Sequence, residues 1–271
     1  MRCRPIRRLI EVLLFCVIVN HPLIAAASAH ETGFLDRAVI VNGVEYRYEV
    51  YVPREYTARQ SWPIILSLHG GGEYGADGIR PTVGALAKAI RLHPDRYPAI
   101  VVFAQAHADG TPSWQQASGD AALIEVEKTL REFHGDAARV YLTGYSAGGN
   151  GAWSLAYHHP HTFAAVVVVC GFVSDFTGKQ SHLFYPQLAP TSSADRYADV
   201  AEHVRSLPIW IFHGDADQNV SVEESRHMSA ALHALGADVH YTELPGVDHN
   251  AWDSAYDSAE MAAWLLEQRR R

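Results

Sequence analysis

The pattern of apolar and polar positions changes once along the chain. Residues 37–41 and 44–52 alternate in character, and Asn42-Gly43 between them is the strongest two-residue hairpin signal, so the sequence predicts an opening antiparallel pair. From Pro63 onward the apolar positions come instead in short unbroken runs, at 63–68, 99–103, 140–142, 163–169, 208–212 and 239–244. Runs of that kind suit strands covered on both faces. Helical spacing fills intervals between and after them, over 119–134 (apolar at Ala122, Leu123, Val126, Leu130 and Phe133), 149–157, 222–235 and 254–268. Strand alternating with helix implies an α/β fold with a mostly parallel, doubly wound sheet. Residues 171–206 are less periodic and rich in Ser, Thr, Pro, Tyr and Phe, which predicts a loop excursion over the face where the strands end.

The N-terminus departs from this pattern. A basic start, MRCRPIRR, precedes a mostly apolar stretch, LIEVLLFCVIVNHPLIAA, and then small residues, ASA, before His30. Together they read as an export signal occupying 1–29 and cut near Ala29, and Arg7-Arg8 hints at twin-arginine export. Glu11 and Asn20-His21-Pro22 interrupt the apolar stretch, so it falls short of the roughly 20 apolar residues that span a bilayer. The remainder, 30–271, is long enough for one α/β domain with a large core.

Removing the signal takes away a net charge of +3, so the formal −8 of the whole chain becomes −11. Such an acidic body repels phosphate backbones, which argues against a nucleic-acid partner, and without the signal no stable membrane insertion is expected. Cys3 and Cys16 leave with the signal, and Cys170 alone cannot form an internal disulfide. It reads as a small core hydrophobe.

One stretch carries chemistry. Gly144-Tyr145-Ser146-Ala147-Gly148-Gly149-Asn150-Gly151 surrounds a single hydroxyl with glycines, directly after one apolar run and before a helical segment. Strand, G-x-S-x-G and helix in that order make a nucleophile elbow, in which side chains two residues before and after the serine would collide. The turn also aims the helix N-terminus and the N–H of Ala147 at negative charge formed beside Ser146. A serine needs a histidine base and an orienting carboxylate. After the run at 208–212 comes His213-Gly-Asp-Ala-Asp217, offering Asp215 and Asp217; after the run at 239–244 comes Pro245-Gly-Val-Asp-His249.

At these residues the chain resembles the α/β-hydrolase superfamily, in particular its secreted esterase, feruloyl-esterase-like and predicted-peptidase branch, from about Pro63 to the C-terminus. The family's acid motif, H-G-x-x-D-x-x-V, matches His213 to Val220 and so implies Asp217 as the acid, with Asp215 a turn residue. The family's histidine precedes an aromatic residue, as His249 precedes Trp252; His240 sits inside a strand. A second oxyanion donor is implied in Leu68-His69-Gly70-Gly71-Gly72-Glu73, at Gly71 with Gly72 next in line, and His69 reads as a brace for the loop. The likeness to polyhydroxyalkanoate depolymerases is partial, since those carry a cysteine where this chain has Gly71.

The resemblance implies an exported serine esterase, periplasmic or secreted, acting on a small-molecule or polymer-attached ester and needing no cofactor or metal. Cleavage of peptides in the manner of the prolyl oligopeptidases, or of esters on a polyester or polysaccharide, is the neighbouring alternative; a non-catalytic binding protein on the same fold is the distant one. Trp114 and Tyr145 are candidate substrate-binding residues, Trp114 with a structural role as its alternative. The cluster His158-His159-Pro160-His161 reads as a solvated helix end and not as a metal site.

Overall fold

The computed structural model describes residues 31–107, 113–177 and 184–270. The expected export signal lies outside them. The chain opens with the hairpin that the alternation predicts, β1 (Gly33–Val41) and β2 (Val44–Val52). Asn42 and Gly43 both adopt positive φ, 51° and 81°, the backbone that a two-residue hairpin turn with the right twist requires. Thereafter strands and helices alternate: β3 (Trp62–Leu68), α1 (Ala85–Leu92), β4 (Ile100–Ala104), α2 (Ala117–Glu132), β5 (Gly135–Tyr145), α3 (Ala147–His158) and β6 (Ala165–Val169). A two-stranded ribbon, β7 (Phe176–Thr177) with β8 (Phe184–Tyr185), and α4 (Arg196–Val204) follow. The chain continues through β9 (Ile209–Gly214), α5 (Glu223–Ala234), β10 (Val239–Leu244), α6 (Ala251–Asp257) and α7 (Ala259–Glu267).

Eight strands form one sheet in the order β1-β2-β4-β3-β5-β6-β9-β10. The hairpin joins antiparallel at β2–β4, and every later pairing is parallel. Because successive side chains of a strand point to opposite faces, the unbroken apolar runs feed two cores at once. Ile64, Leu66, Val166 and Val168 join the core beneath α2, α3, α4 and α5; Ile65, Val167 and Val169 join the one beneath α1, α6 and α7. Parallel strands put their C-terminal ends on one edge, and the residues after β3, β5, β9 and β10 meet there.

Three of the differences from the sequence expectation have local physical causes. β5 begins at Gly135, five residues before the apolar run, because Trp62 of β3 pairs beside Gly135. The single helix expected over 254–268 is two, parted at Ser258, whose hydroxyl accepts the Met261 N–H at 3.1 Å and caps α7. The excursion expected over 171–206 contains α4 and the β7–β8 ribbon. Asp195 caps α4 by accepting the N–H groups of Tyr197 and Ala198.

Candidate active site

Ser146 sits at the junction of β5 and α3 with φ 54° and ψ −119°, a conformation that costs a non-glycine residue of order 1–3 kcal/mol. Its neighbours explain how the strain is held. A Cβ on Gly144 would lie 2.1 Å from the Gly148 carbonyl oxygen, and one on Gly148 would lie 2.1 Å from that of Leu68. The Ser146 N–H is bonded to the Val169 carbonyl at 2.9 Å, and the Asn150 N–H closes the first helical turn on the Ser146 carbonyl at 3.0 Å. The hydroxyl is left facing outward from the sheet edge.

Three expected side chains come together on it. Ser146 Oγ lies 2.8 Å from His249 Nε2, and His249 Nδ1 lies 2.7 Å from Asp217 Oδ2. The other oxygen of Asp217 accepts two backbone N–H groups, Asn219 at 2.7 Å and Val220 at 2.9 Å. Its burial works to raise this carboxyl, but the two histidines beside it and those two amides outweigh the burial and hold it far below the usual carboxylate range. The Asp217 side chain is fully buried, so its charge is available to His249 without competition from water. Asp215 is elsewhere: its Oδ1 accepts the Gly246 N–H at 2.6 Å and fixes the turn after β10. Gly214 lets that turn approach, since a Cβ there would lie 2.1 Å from the Val247 carbonyl oxygen.

The loop after β3 is braced as expected. His69 is buried and held down to about 4 chiefly by that burial, so its ring is neutral at ordinary pH. Its Nε2 accepts the Ala106 N–H at 3.0 Å, which leaves the Nδ1 proton to be donated to the Gly70 carbonyl at 2.7 Å. Trp114 belongs to the same brace. The sequence allowed it a place in a pocket wall, but it is 1% exposed, donates Nε1–H to the His69 carbonyl at 3.0 Å, and packs against Gly151. It supports the loop from behind and does not line the pocket, because α3 offers a glycine-sized recess that the indole fills.

A cavity of about 480 Å³ opens over Ser146, lined by Gly70, Gly71, Gly72, Ala147, Asn219 and His249 around the hydroxyl. Phe172, Phe176 and Tyr185 wall one side; Glu73, Gly84, Ala85, Tyr145 and Trp252 wall the other. The expected Tyr145 is therefore in the lining, its ring 4.9 Å from that of Trp252. Phe172 and Phe176 were not singled out in the sequence, since an irregular segment gives no periodicity to say which aromatics turn inward. Glu224 of α5 holds that segment, accepting the N–H groups of Val173 (2.9 Å) and Ser174 (3.3 Å) and the hydroxyls of Ser174 and Tyr197.

Two further residues touch the acid and base. His213 lies 3.2 Å from Asp217 Oδ2 through Nε2 and 2.7 Å from Ser225 Oγ through Nδ1. Cys170 is buried with φ 41° and points its thiol at the His249 carbonyl at 3.5 Å; burial, with Asp217 close by, pushes the thiol up. It is the small core residue that the sequence implies, placed directly beneath His249. Ligand atoms of Cys170, Asp217 and His249 fall within 4.8 Å of one another, but the latter two are bonded to each other.

Comparison with known proteins bears on the family and the fold. The model of the prolyl oligopeptidase family matches residues 107–270. An "uncharacterized secreted protein" of Arthroderma benhamiae is 25% identical over 214 residues, covering 69% of this chain and 21% of that protein. A "probable feruloyl esterase C" of Aspergillus flavus is 26% identical over 175 residues, covering 60% of this chain and 62% of that one. Among solved structures, a thermostable esterase superposes with a TM-score of 0.72 at 28% identity, over 88% of this chain and 63% of its own. The chain thus spans about a fifth to three fifths of the length of these relatives. The fold is that of the α/β hydrolases.

Proposed function

The chain belongs to the prolyl oligopeptidase family, and on that premise we propose that it is a serine hydrolase that cleaves carboxylic esters through an acyl-enzyme on Ser146. The observation that carries the reading is the unbroken relay from Ser146 Oγ through His249 to Asp217, at 2.8 and 2.7 Å, opening into a walled cavity.

In this mechanism His249 Nε2 takes the hydroxyl proton as Oγ attacks the ester carbonyl carbon, and the Asp217 carboxylate stabilises the imidazolium that forms. The carbonyl oxygen becomes an oxyanion, held by the N–H groups of Ala147 and Gly71. Collapse of the tetrahedral intermediate breaks the bond to the alcohol oxygen, which leaves with the proton from His249. Water then gives a proton to His249, its oxygen attacks the acyl carbon, and the acid departs as Ser146 regains its proton. No cofactor or metal ion enters these steps.

Ester is preferred over peptide because the relatives with named activity are esterases, whereas the family description favours a peptidase. The same reading takes 1–29 as a removable export signal and 30–271 as one domain, periplasmic or secreted. A relative described as secreted supports export. Among the described residues no helix is long and apolar enough to cross a membrane. The acidic body disfavours nucleic acid as a partner.

A panel of acetyl, butanoyl, octanoyl and feruloyl esters, with a prolyl dipeptide anilide, tests the proposal. Ester turnover that exceeds amide turnover and disappears in Ser146→Ala is the expected result. Turnover of the anilide alone would favour the peptidase, and turnover that survives in Ser146→Ala would refute the mechanism.

A further inference from the structure

The cavity over Ser146 has two unlike halves. Phe172 and Tyr185 belong to the core on one face of the sheet, Tyr145 and Ala85 to the core on the other, and Ser146 stands at the seam. The first half is walled by rings, Phe172 and Tyr185 buried and Phe176 partly so, with the Phe172 ring tilted 4.6 Å from that of Phe176 and edge-on to that of Tyr185 at 5.4 Å. The second half contains Glu73, which with His249 supplies the ionisable groups other than tyrosine in the lining. Past Ala85 this half adjoins a second hollow of about 290 Å³, whose polar wall is Lys88, Asp253, Ser254 and Asp257.

Glu73 is unusual in what it lacks. Its side chain is 30% exposed; Oε2 is buried without a hydrogen-bond partner, a state that buried polar atoms rarely keep without reason, and the exposed part leaves Oε1 as the oxygen that a ligand in the cavity can reach. The nearest cationic candidate, His69, is 4.0 Å away from Oε2, and its Nδ1 proton is already donated to the Gly70 carbonyl. Burial raises the Glu73 carboxyl above its ordinary range, and the Tyr145 hydroxyl and the backbone N–H groups of Glu73 and Gly70 beside it oppose the rise. Glu73 lines the cavity and its backbone is fixed there, since Gln105 Nε2–H donates to the Glu73 carbonyl at 2.9 Å. The protein thus holds an acceptor in the site and leaves part of its capacity unused.

We propose that Glu73 is a specificity-determining residue that accepts a hydrogen bond from a hydroxyl on the alcohol part of the ester, and that the hollow beyond Ala85 continues this subsite for a polyhydroxylated alcohol. The assignment of sides follows from the order of events in the mechanism above, on which it rests. The alcohol leaves first and needs a way out, which the hollow adjoining the Glu73 half offers; the acyl group stays bonded to Ser146 and fits the aromatic half. The same carboxylate repels an anionic leaving group, so esters whose alcohol carries a carboxylate are excluded. Lys88 and Asp253, paired to each other at 3.0 Å, present further donors and acceptors along the path.

The test uses two butanoate esters of nearly equal size, 2-hydroxyethyl and propyl. Their ratio of kcat/KM is read in the wild type, in Glu73→Gln and in Glu73→Leu, each checked for native thermal unfolding. The hydroxylated ester is expected to be preferred about tenfold or more in the wild type, as a bond to a charged acceptor implies. The ratio should fall to an intermediate value in Glu73→Gln, whose amide oxygen still accepts, and to about one in Glu73→Leu. Calorimetric titration of both esters into the Ser146→Ala protein reads the same preference without turnover, and there Glu73→Leu should equalise the two affinities. A ratio near one in the wild type, or an unchanged ratio in Glu73→Leu, overturns the assignment. Failure of Ser146→Ala to abolish hydrolysis instead refutes the acyl-enzyme mechanism, while the affinity ratio still decides the role of Glu73.

Discussion

Replacing Asp217 by Asn changes one atom in the relay and should disable it. Oδ1 accepts the N–H groups of Asn219 and Val220, so an asparagine side chain keeps its oxygen there and turns its NH2 toward the position of Oδ2. That position faces His249 Nδ1 at 2.7 Å and His213 Nε2 at 3.2 Å. An NH2 group only donates, so Nδ1 of His249 must give up its proton and accept, and the ring proton moves to Nε2. There it points at Ser146 Oγ, and the base can no longer take the hydroxyl proton. His213 still has the Val220 carbonyl 3.1 Å from its Nε2, so the fold tolerates the change. Loss of the correct tautomer and of the charge opposite the imidazolium costs about 10⁴ in rate in triads of this kind, or about 5.4 kcal/mol at 1.36 kcal/mol per tenfold. Asp215→Asn is the control. Its single bond, from the Gly246 N–H, can be accepted equally by an amide oxygen, so its rate should fall by less than about tenfold. The assay is kcat/KM for the best ester of the panel at neutral pH, with circular dichroism and thermal unfolding of each variant. A loss below tenfold in folded Asp217→Asn, or equal losses in the two variants, would refute the reasoning.

Two other outcomes follow from buried groups. Glu125 of α2 is fully buried, its Oε2 has no partner, and burial raises its carboxyl well above the ordinary range, so the native state holds a proton that the unfolded chain releases above about pH 4.3. Stability from this group is complete below that pH and is lost as pH rises toward the folded value; Glu125→Gln, a mimic of the protonated acid, should raise Tm by about 2 °C or more at pH 8 and by nothing near pH 4, and an equal gain at both would contradict the assignment. Gly148→Ala drives a Cβ to 2.1 Å from the Leu68 carbonyl oxygen and 2.5 Å from that of His69, so it should displace the loop carrying Gly71, destabilise the protein by about 1–3 kcal/mol and remove most esterase activity; denaturant unfolding that matches the wild type would contradict this.

The parts of the fold that the sequence makes legible are those where one local rule acts alone. Asn42-Gly43 dictates its turn, and unbroken apolar runs dictate strands with two covered faces. Ser146 is legible because the elbow forbids side chains at Gly144 and Gly148. Asp217 needs more than spacing: both it and Asp215 lie in one turn, and only the two amides that fix Asp217 toward His249 separate them. Trp114 shows the opposite limit. Its proximity to the site is correct, but whether an indole faces the cavity or the recess at Gly151 depends on a contact 37 residues away in the chain. Glu73 and the ring pair Phe172 and Phe176 acquire their roles from cavity shape, which no periodicity encodes. Ser258 parts α6 from α7 within a continuous apolar pattern, because a capping hydroxyl competes locally with helix continuation.

The central claim is that Ser146 is a nucleophile activated by His249 and Asp217. Intact-protein mass spectrometry after treatment with a fluorophosphonate probe, followed by peptide mapping, tests it most directly. The account predicts one adduct per chain, located on Ser146, absent in Ser146→Ala and formed far more slowly in His249→Ala. An adduct on another residue, or labelling of Ser146 at an unchanged rate without His249, would contradict it.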